Sequence, residues 1–371
     1  MTFFRRLAAC LLIGALCAFP PTVRALAQTP GAPVLRDGRH DFDFNLGVWH
    51  TRITRILDPF AAVKRTMTMS GTVTVRPVWG GRASLEEIEA DGPRGHWEGL
   101  TLFLYDPQAH QWSQTFIDSS DGTLTTPTIG AFHGNTGKLF AQDTFNGRTI
   151  LVRGTWSVFT PNTHSYEEDD SDDGGATWHA AFVAHLNRIS GSRPVPTVAT
   201  ARDRQHAFDF DLGTWKTHST RLLHPLTGST TWGDVDGITV DRPVWGGRAN
   251  LAELRASGAG GNVELLSLRW YNPAAHQWNI DFATARGGTL GIPGAGVFKH
   301  GRADFYDQES YGNRTILVRF SIWPTGPDSA HSEQAFSADG GTTWEVNWRT
   351  TYTRMKEAAF TPTPRSPVAS R

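Results

Sequence analysis

The sequence predicts an all-β protein made of two tandem copies of one antiparallel domain. The first observation is a repeat. The string His40-Asp41-Phe42-Asp43-Phe44-Asn45-Leu46-Gly47-Val48-Trp49 returns 166 residues later as His206-Ala207-Phe208-Asp209-Phe210-Asp211-Leu212-Gly213-Thr214-Trp215. The second is that the offset never changes. It also relates Arg76 through Ala83 to the string from Arg242, Tyr105 through Trp112 to that from Tyr271, and Arg148 through Arg153 to that from Arg314. Residues 40–188 and 206–354 therefore align without a gap, which marks a duplicated domain. The third is that apolar residues alternate at period two between closely spaced turn signals, the pattern of antiparallel strands with little helix.

From the N-terminus, Arg5 and Arg6 precede an apolar run from Leu7 to Phe19, and Ala25-Leu26-Ala27 offers a small-x-small cleavage site. Residues 1–27 thus read as a secretory signal, and the protein is expected in the periplasm or secreted. No segment approaches the roughly 20 apolar residues a spanning helix needs, so no integral membrane segment is expected. Copy one is assigned to 36–190 and copy two to 205–356. Each is long enough to enclose its own core. The stretch 191–204 between them is rich in Pro, Ser, Thr and Arg and reads as a linker; 357–371, with Pro362, Pro364 and Pro367, reads as a disordered tail.

In the first strand of each copy, Trp49, Thr51, Arg55 and Leu57 share a face, as do Trp215, Thr217, Arg221 and Leu223. In the last strand, Trp178, Phe182, Leu186 and Arg188 are expected to share one, as are Trp344, Val346, Trp348, Tyr352 and Arg354. Just before it, Ser171-Asp172-Asp173-Gly174-Gly175-Ala176-Thr177-Trp178 recurs as Ser337 through Trp344. This Asp-box suits a tight hairpin whose carboxylate caps turn amides. The propellers that carry such boxes repeat every 40 to 50 residues or so, so a glycosidase reading is not taken up.

Composition excludes several classes. Both cysteines, Cys10 and Cys17, lie in the signal, so the mature chain has no disulfide and no thiol chemistry. Removing the signal takes Arg5, Arg6 and Arg24 but no acid, which moves the formal net charge from −1 to −4. A mildly acidic surface argues against nucleic acid. No nucleophile elbow, HExxH helix, P-loop or dinucleotide fingerprint occurs.

Gly47-Val48-Trp49 with Arg188, and Gly213-Thr214-Trp215 with Arg354, resemble the calycin or lipocalin signature. There a Gly-x-Trp opens the first strand and a terminal arginine packs over the indole. The resemblance implies two tandem lipocalin-like β-barrels, with Trp49/Arg188 and Trp215/Arg354 closing their ends. The Phe-Asp-Phe-x-Leu-Gly-x-Trp, Tyr-Asp/Asn-Pro-x-x-His-Gln-Trp and Asp-box strings are further similar to a bacterial lipocalin-like family of mostly unknown function. Nitrobindin-type relatives hold haem through a barrel histidine. The histidines that recur here, His40/His206 and His110/His276, sit in a lead-in segment and a turn, so no cofactor is expected.

Candidate ligand-binding residues are Arg55 and Arg221, on the signature face, and Glu87 and Glu253, which share a face with Leu85 and Leu251. An inward arginine and an inward glutamate are costly unless paired with each other or used on a ligand. The acidic run Glu167-Glu168-Asp169-Asp170-Ser171-Asp172-Asp173 reads as a solvated hairpin tip, since it lacks calcium-loop spacing, and no metal site is expected. Copy two shows Glu333-Gln334-Ala335-Phe336-Ser337-Ala338-Asp339 there.

The leading functional expectation is a binding protein whose barrel interior takes a small hydrophobic molecule. One alternative is a cofactor-free isomerase, cyclase or hydratase, as found among proteins with two calycin domains. The other is a structural module with filled barrels. An open pocket in which one copy keeps a polar constellation and the other loses it is the mark of the enzyme. Oligomeric state and ligand identity are not legible.

Overall fold

The computed structural model describes residues 36–189 and 204–356; the signal 1–27, the linker up to 203 and the tail 357–371 lie outside them. Ten strands form copy one: β1 (Gly47–Ile56), β2 (Thr66–Val78), β3 (Ala83–Gly92), β4 (Gly95–Asp106), β5 (Gln111–Asp118), β6 (Thr128–His133), β7 (Thr136–Phe145), β8 (Arg148–Thr160), β9 (Thr163–Ser171) and β10 (His179–Arg188). Copy two repeats them as β11 (Gly213–Leu222), β12 (Trp232–Val244), β13 (Ala249–Gly258), β14 (Gly261–Asn272), β15 (Gln277–Thr284), β16 (Gly294–Lys299), β17 (Arg302–Tyr311), β18 (Arg314–Gly326), β19 (Ser329–Ser337) and β20 (Glu345–Arg354). Each strand pairs antiparallel with the next and the last closes on the first, giving two closed up-and-down barrels. None of the described helices is long and apolar enough to cross a membrane.

Tight turns let the meander run. Between β7 and β8, Asn146 and Gly147 hold φ of 49° and 76°, the left-handed pair of a two-residue hairpin that matches strand twist. Where β2 bends between β1 and β3, a Cβ on Gly71 would lie 1.8 Å from the Glu89 carbonyl oxygen, so only glycine fits.

At one end of each barrel the terminal arginine lies on the signature indole. The Arg188 guanidinium sits 3.9 Å from the Trp49 ring and donates to the Leu46 and Phe44 carbonyls at 2.8 and 3.0 Å. Arg354 does the same over Trp215 at 4.0 Å, donating to Leu212 and Phe210 at 2.7 Å each. A planar cation can stack and satisfy carbonyls at once, which lysine cannot.

The predicted face of the last strand holds only in part. A bulge between Ala180 and Phe182 breaks the alternation, so Trp178 leaves the row of Phe182, Leu186 and Arg188 and packs over Arg153 at 4.3 Å. The matching shift opposite Gln334 and Ala335 places Trp344 over Arg319 at 4.8 Å.

The two barrels share an apolar seam that the repeat did not reveal. Leu85, Leu100 and Leu102 on the outer face of β3 and β4 pack with Leu251, Leu266 and Leu268 on the outer face of β13 and β14. Polar contacts across it come in reciprocal pairs. Arg82 donates to Glu264 at 2.7 and 2.8 Å, and Arg248 to Glu98. Glu253 accepts from the Trp79 backbone at 3.2 Å, and Glu87 from that of Trp245 at 3.4 Å. Each residue meets the counterpart of its own partner, the signature of a two-fold interface made within one chain.

Candidate functional site

Alternation along β9 aims His164, Tyr166, Glu168 and Asp170 inward. Glu168 and Asp170 line a cavity of about 620 Å³ inside barrel one, together with Tyr166. Its walls also carry Trp97, Phe116, Trp156 and Phe182, and Glu86 lies among the lining residues. Such a volume suits one small organic molecule.

The floor beneath is a cluster of rings. Phe42 lies 4.6 Å from Phe103, 5.1 Å from Trp112, 5.0 Å from Phe132 and 5.5 Å from Trp156, mostly edge to face. His164 stands edge-on to Trp49 at 4.3 Å, only 2% exposed and with neither ring nitrogen bonded. Burial, helped by the charge of Arg188, lowers its pKa to about 4, so it is neutral at pH 7.

Above this floor the polar groups are tied mostly to neutral partners. Glu86 accepts from Asn45 at 3.1 Å and Thr101 at 2.9 Å, and Gln114 accepts from the Trp156 indole at 2.9 Å. Glu168 accepts from the Tyr166 hydroxyl at 3.2 Å. Asp170 is 5% exposed, and its Oδ1 has no hydrogen-bond partner. Burial raises the carboxyls of Glu86 and Glu168 and pushes Asp170 up to about 7, the last also through the charges of Glu168, Asp143 and Asp169.

The predicted ligand residues divide. Arg55 lines the cavity, lies 3.5 Å from Asp118 and sits 5.9 Å from the Trp97 ring, while Trp97 donates to Asp118 at 3.0 Å. Arg221, its counterpart, lies 5.6 Å from the Trp348 ring. Glu87 and Glu253 do share the face of Leu85 and Leu251, but that face is the outer one, buried by the other barrel. They pair there with Arg76 at 3.2 Å and Arg242 at 2.6 Å, so no interior Arg55–Glu87 pair forms.

The acidic run is likewise corrected. Strand alternation sends Glu168 and Asp170 into the barrel, while Asp169 is buried against Arg153 at 2.8 Å; Ser171 and Asp173 serve the hairpin, accepting from the Gly175 and Thr177 amides at 2.8 and 2.9 Å. The gapless alignment held the signal. The inward positions of β9 read Ala330, Ser332, Gln334 and Phe336 in copy two, a change of chemistry at every second residue. Among the described residues, no group of three or more His, Asp or Glu side chains is placed to hold a metal ion.

Barrel two builds the matching floor differently. Arg269 replaces Phe103 and stands 5.1 Å from the Phe208 ring. It donates to Asp211 and Asp241 at 2.6 Å each and to Asn250 at 3.3 Å. Burial opposes its charge, but Asp211 and Asp241 more than offset this and raise its pKa. Trp348 and Tyr352 stand where copy one has Phe182 and Leu186.

Comparison with known proteins gives no matching family model and no matching curated protein. Among solved structures, the chain is similar to an S-type phycobiliprotein lyase from Guillardia theta, at 11% identity and a TM-score of 0.29, over 40% of this chain and 91% of that one. It is also similar to EF1p2_mFAP2b bound to DFHBI, at 12% identity and a TM-score of 0.24, over 41% of this chain and 100% of that one.

Proposed function

We propose that this is an exported protein that binds one small, largely apolar molecule in the cup of barrel one, with barrel two as its structural partner. The observation that carries this reading is the asymmetry between the copies. One interior keeps a cavity of about 620 Å³ with aromatic walls and inward carboxyls on β9, while the other sets a buried ion-pair network beneath and places Ser332, Gln334 and Phe336 where those β9 side chains stand. That difference also argues against a module in which both barrels are filled. Export rests on the signal-like segment 1–27 and gives a periplasmic or secreted location. Kinship with the calycins and with the bacterial lipocalin-like family rests on Gly-x-Trp and the arginine stacked over it.

The test is titration with N-phenyl-1-naphthylamine, a neutral probe that brightens in apolar surroundings. One site per chain is expected, and Ala141→Trp, which fills the cavity from β7, should abolish it. Equal binding by wild type and Ala141→Trp, or two equivalent sites, refutes the assignment.

A second reading, a cofactor-free isomerase, cyclase or hydratase, is favoured by one observation. Copy one carries Tyr166, Glu168 and Asp170 where copy two carries Ser332, Gln334 and Phe336. A buried carboxyl raised to about 7 is poised for proton transfer at neutral pH. Turnover that Asp170→Asn abolishes without loss of probe binding would select this reading.

A further inference from the structure

We propose that the cup of barrel one recognises an organic cation, a molecule with an apolar body and one protonated amine or quaternary ammonium. The inference rests on the cup being the binding site and names the chemistry of what enters it.

The first ground is charge. Six carboxyl residues line the cavity, Glu86, Asp118, Asp121, Asp143, Glu168 and Asp170, against one cationic side chain, Arg55. Arg55 is engaged by Asp118 at 3.5 Å. Glu86 and Glu168 are held by hydroxyl and amide donors, and the Oδ1 of Asp170 by nothing. A concave surface of one sign with low-dielectric walls concentrates its field and attracts the opposite charge. Carboxyls kept dry without a cation are expensive, so their presence calls for a function.

The second ground is the walls. Trp97, Trp156, Phe116 and Phe182 present π faces and edges to the same space. Aromatic rings beside carboxylates are the environment in which a desolvated ammonium is held, since the ring quadrupole attracts the charge that the carboxylate balances.

The third ground comes from barrel two. There the protein supplies its own cation, Arg269, between Asp211 and Asp241 and beside the Phe208 ring. Barrel one places Phe103 at that position and Asn45 and Val75 where the two aspartates stand; its acids lie on β9 instead, and among the described residues no guanidinium comes within ion-pair distance of Glu168 or Asp170. In barrel one an entering cation supplies the charge that the chain does not place beside the β9 carboxyls.

The test compares three probes that share one ring system, by calorimetry at pH 8 with the full chain: (1-naphthylmethyl)trimethylammonium, 1-naphthalenemethanol and 1-naphthaleneacetate. The ammonium should bind at least tenfold more tightly than the alcohol, and the acetate least of all. Asp170→Asn and Glu168→Gln should each lower the preference for the ammonium over the alcohol at least fivefold, with circular dichroism reporting that the barrel is intact. If the alcohol or the acetate equals the ammonium, or neither substitution touches it, the cation inference is overturned while the cup stands. An ammonium that fails to bind while N-phenyl-1-naphthylamine still enters overturns it in the same way. Failure of every probe removes the cup reading as well.

Discussion

Asp170→Asn should make the ligand-free protein more stable at pH 8, although it deletes a charge inside a folded domain. The carboxyl rises from its ordinary 3.8 to about 7, first through burial and then through Glu168, Asp143 and Asp169; Arg55 across the cup and His179, its neighbour in register on β10, complete the titratable surroundings. Between pH 4 and 7 the folded state therefore holds a proton that the unfolded chain has released. Stability from this group is complete below about pH 4 and is lost as pH rises through 7. At about 1.4 kcal/mol per pH unit the loss approaches about 4 kcal/mol, and water entering the open cup reduces it to about 2 kcal/mol. Asparagine keeps the shape and carries no charge. Urea unfolding of both proteins at pH 5 and pH 8 reads the effect directly. The variant should gain about 2 kcal/mol at pH 8 and clearly less at pH 5. A variant no more stable than wild type at pH 8, or a difference that ignores pH, refutes the claim that this carboxyl is held at a cost.

Other consequences follow from the same geometry. His164 is buried neutral with its pKa lowered to about 4, so its contribution is present above about 6.5 and is lost as pH falls towards 4; His164→Gln should flatten acid unfolding by about 2 kcal/mol across that window. Arg269→Met strands Asp211 and Asp241 in the core of barrel two and should cost about 3–5 kcal/mol, whereas the copy-one set Arg269→Phe, Asp211→Asn and Asp241→Val together should restore most of it by calorimetric Tm. At the barrel end, Arg188→Lys keeps the charge but loses the fork onto Leu46 and Phe44, and should cost about 1–2 kcal/mol in urea unfolding. Along the seam, Leu102→Ala should cost about 2–5 kcal/mol and Arg82→Ala under about 1 kcal/mol, since the first is fully buried and the second is a partly exposed ion pair.

The sequence carried the fold because its determinants are local. Period-two alternation and the Gly-x-Trp string each act within a few residues, and the 166-residue repeat shows both twice. It carried the site poorly because a face has two possible destinations. Leu85 and Glu87 do fall on one side of β3, yet nothing along the strand says whether that side meets the interior or another barrel. The apolar outer faces of β3 and β4 look like core residues because they are core residues, of a seam rather than a barrel. Glu168 and Asp170 were hidden for the converse reason, since a run of acids suggests solvent until alternate members are assigned to opposite walls.

Duplication explains why the two kinds of position separate so cleanly. A two-fold seam needs matching residues on both sides, so Arg82 and Arg248, Trp79 and Trp245, and Glu98 and Glu264 are constrained together. An interior faces no such requirement, because each barrel encloses its own space. With the seam held by matching residues of both copies, an interior can keep groups that cost stability, and proteins tolerate such local costs where function requires them. Barrel two pairs Asp211 and Asp241 with Arg269, while burial raises its Asp281 and Asp307 to about 7; barrel one leaves the Oδ1 of Asp170 unsatisfied beside its cavity. The stability difference measured for Asp170→Asn is thus also a measure of how much binding energy a ligand can recover there. A cation that restores the missing partner should release a proton on binding near pH 7, and calorimetry in buffers of different ionisation heat will count it.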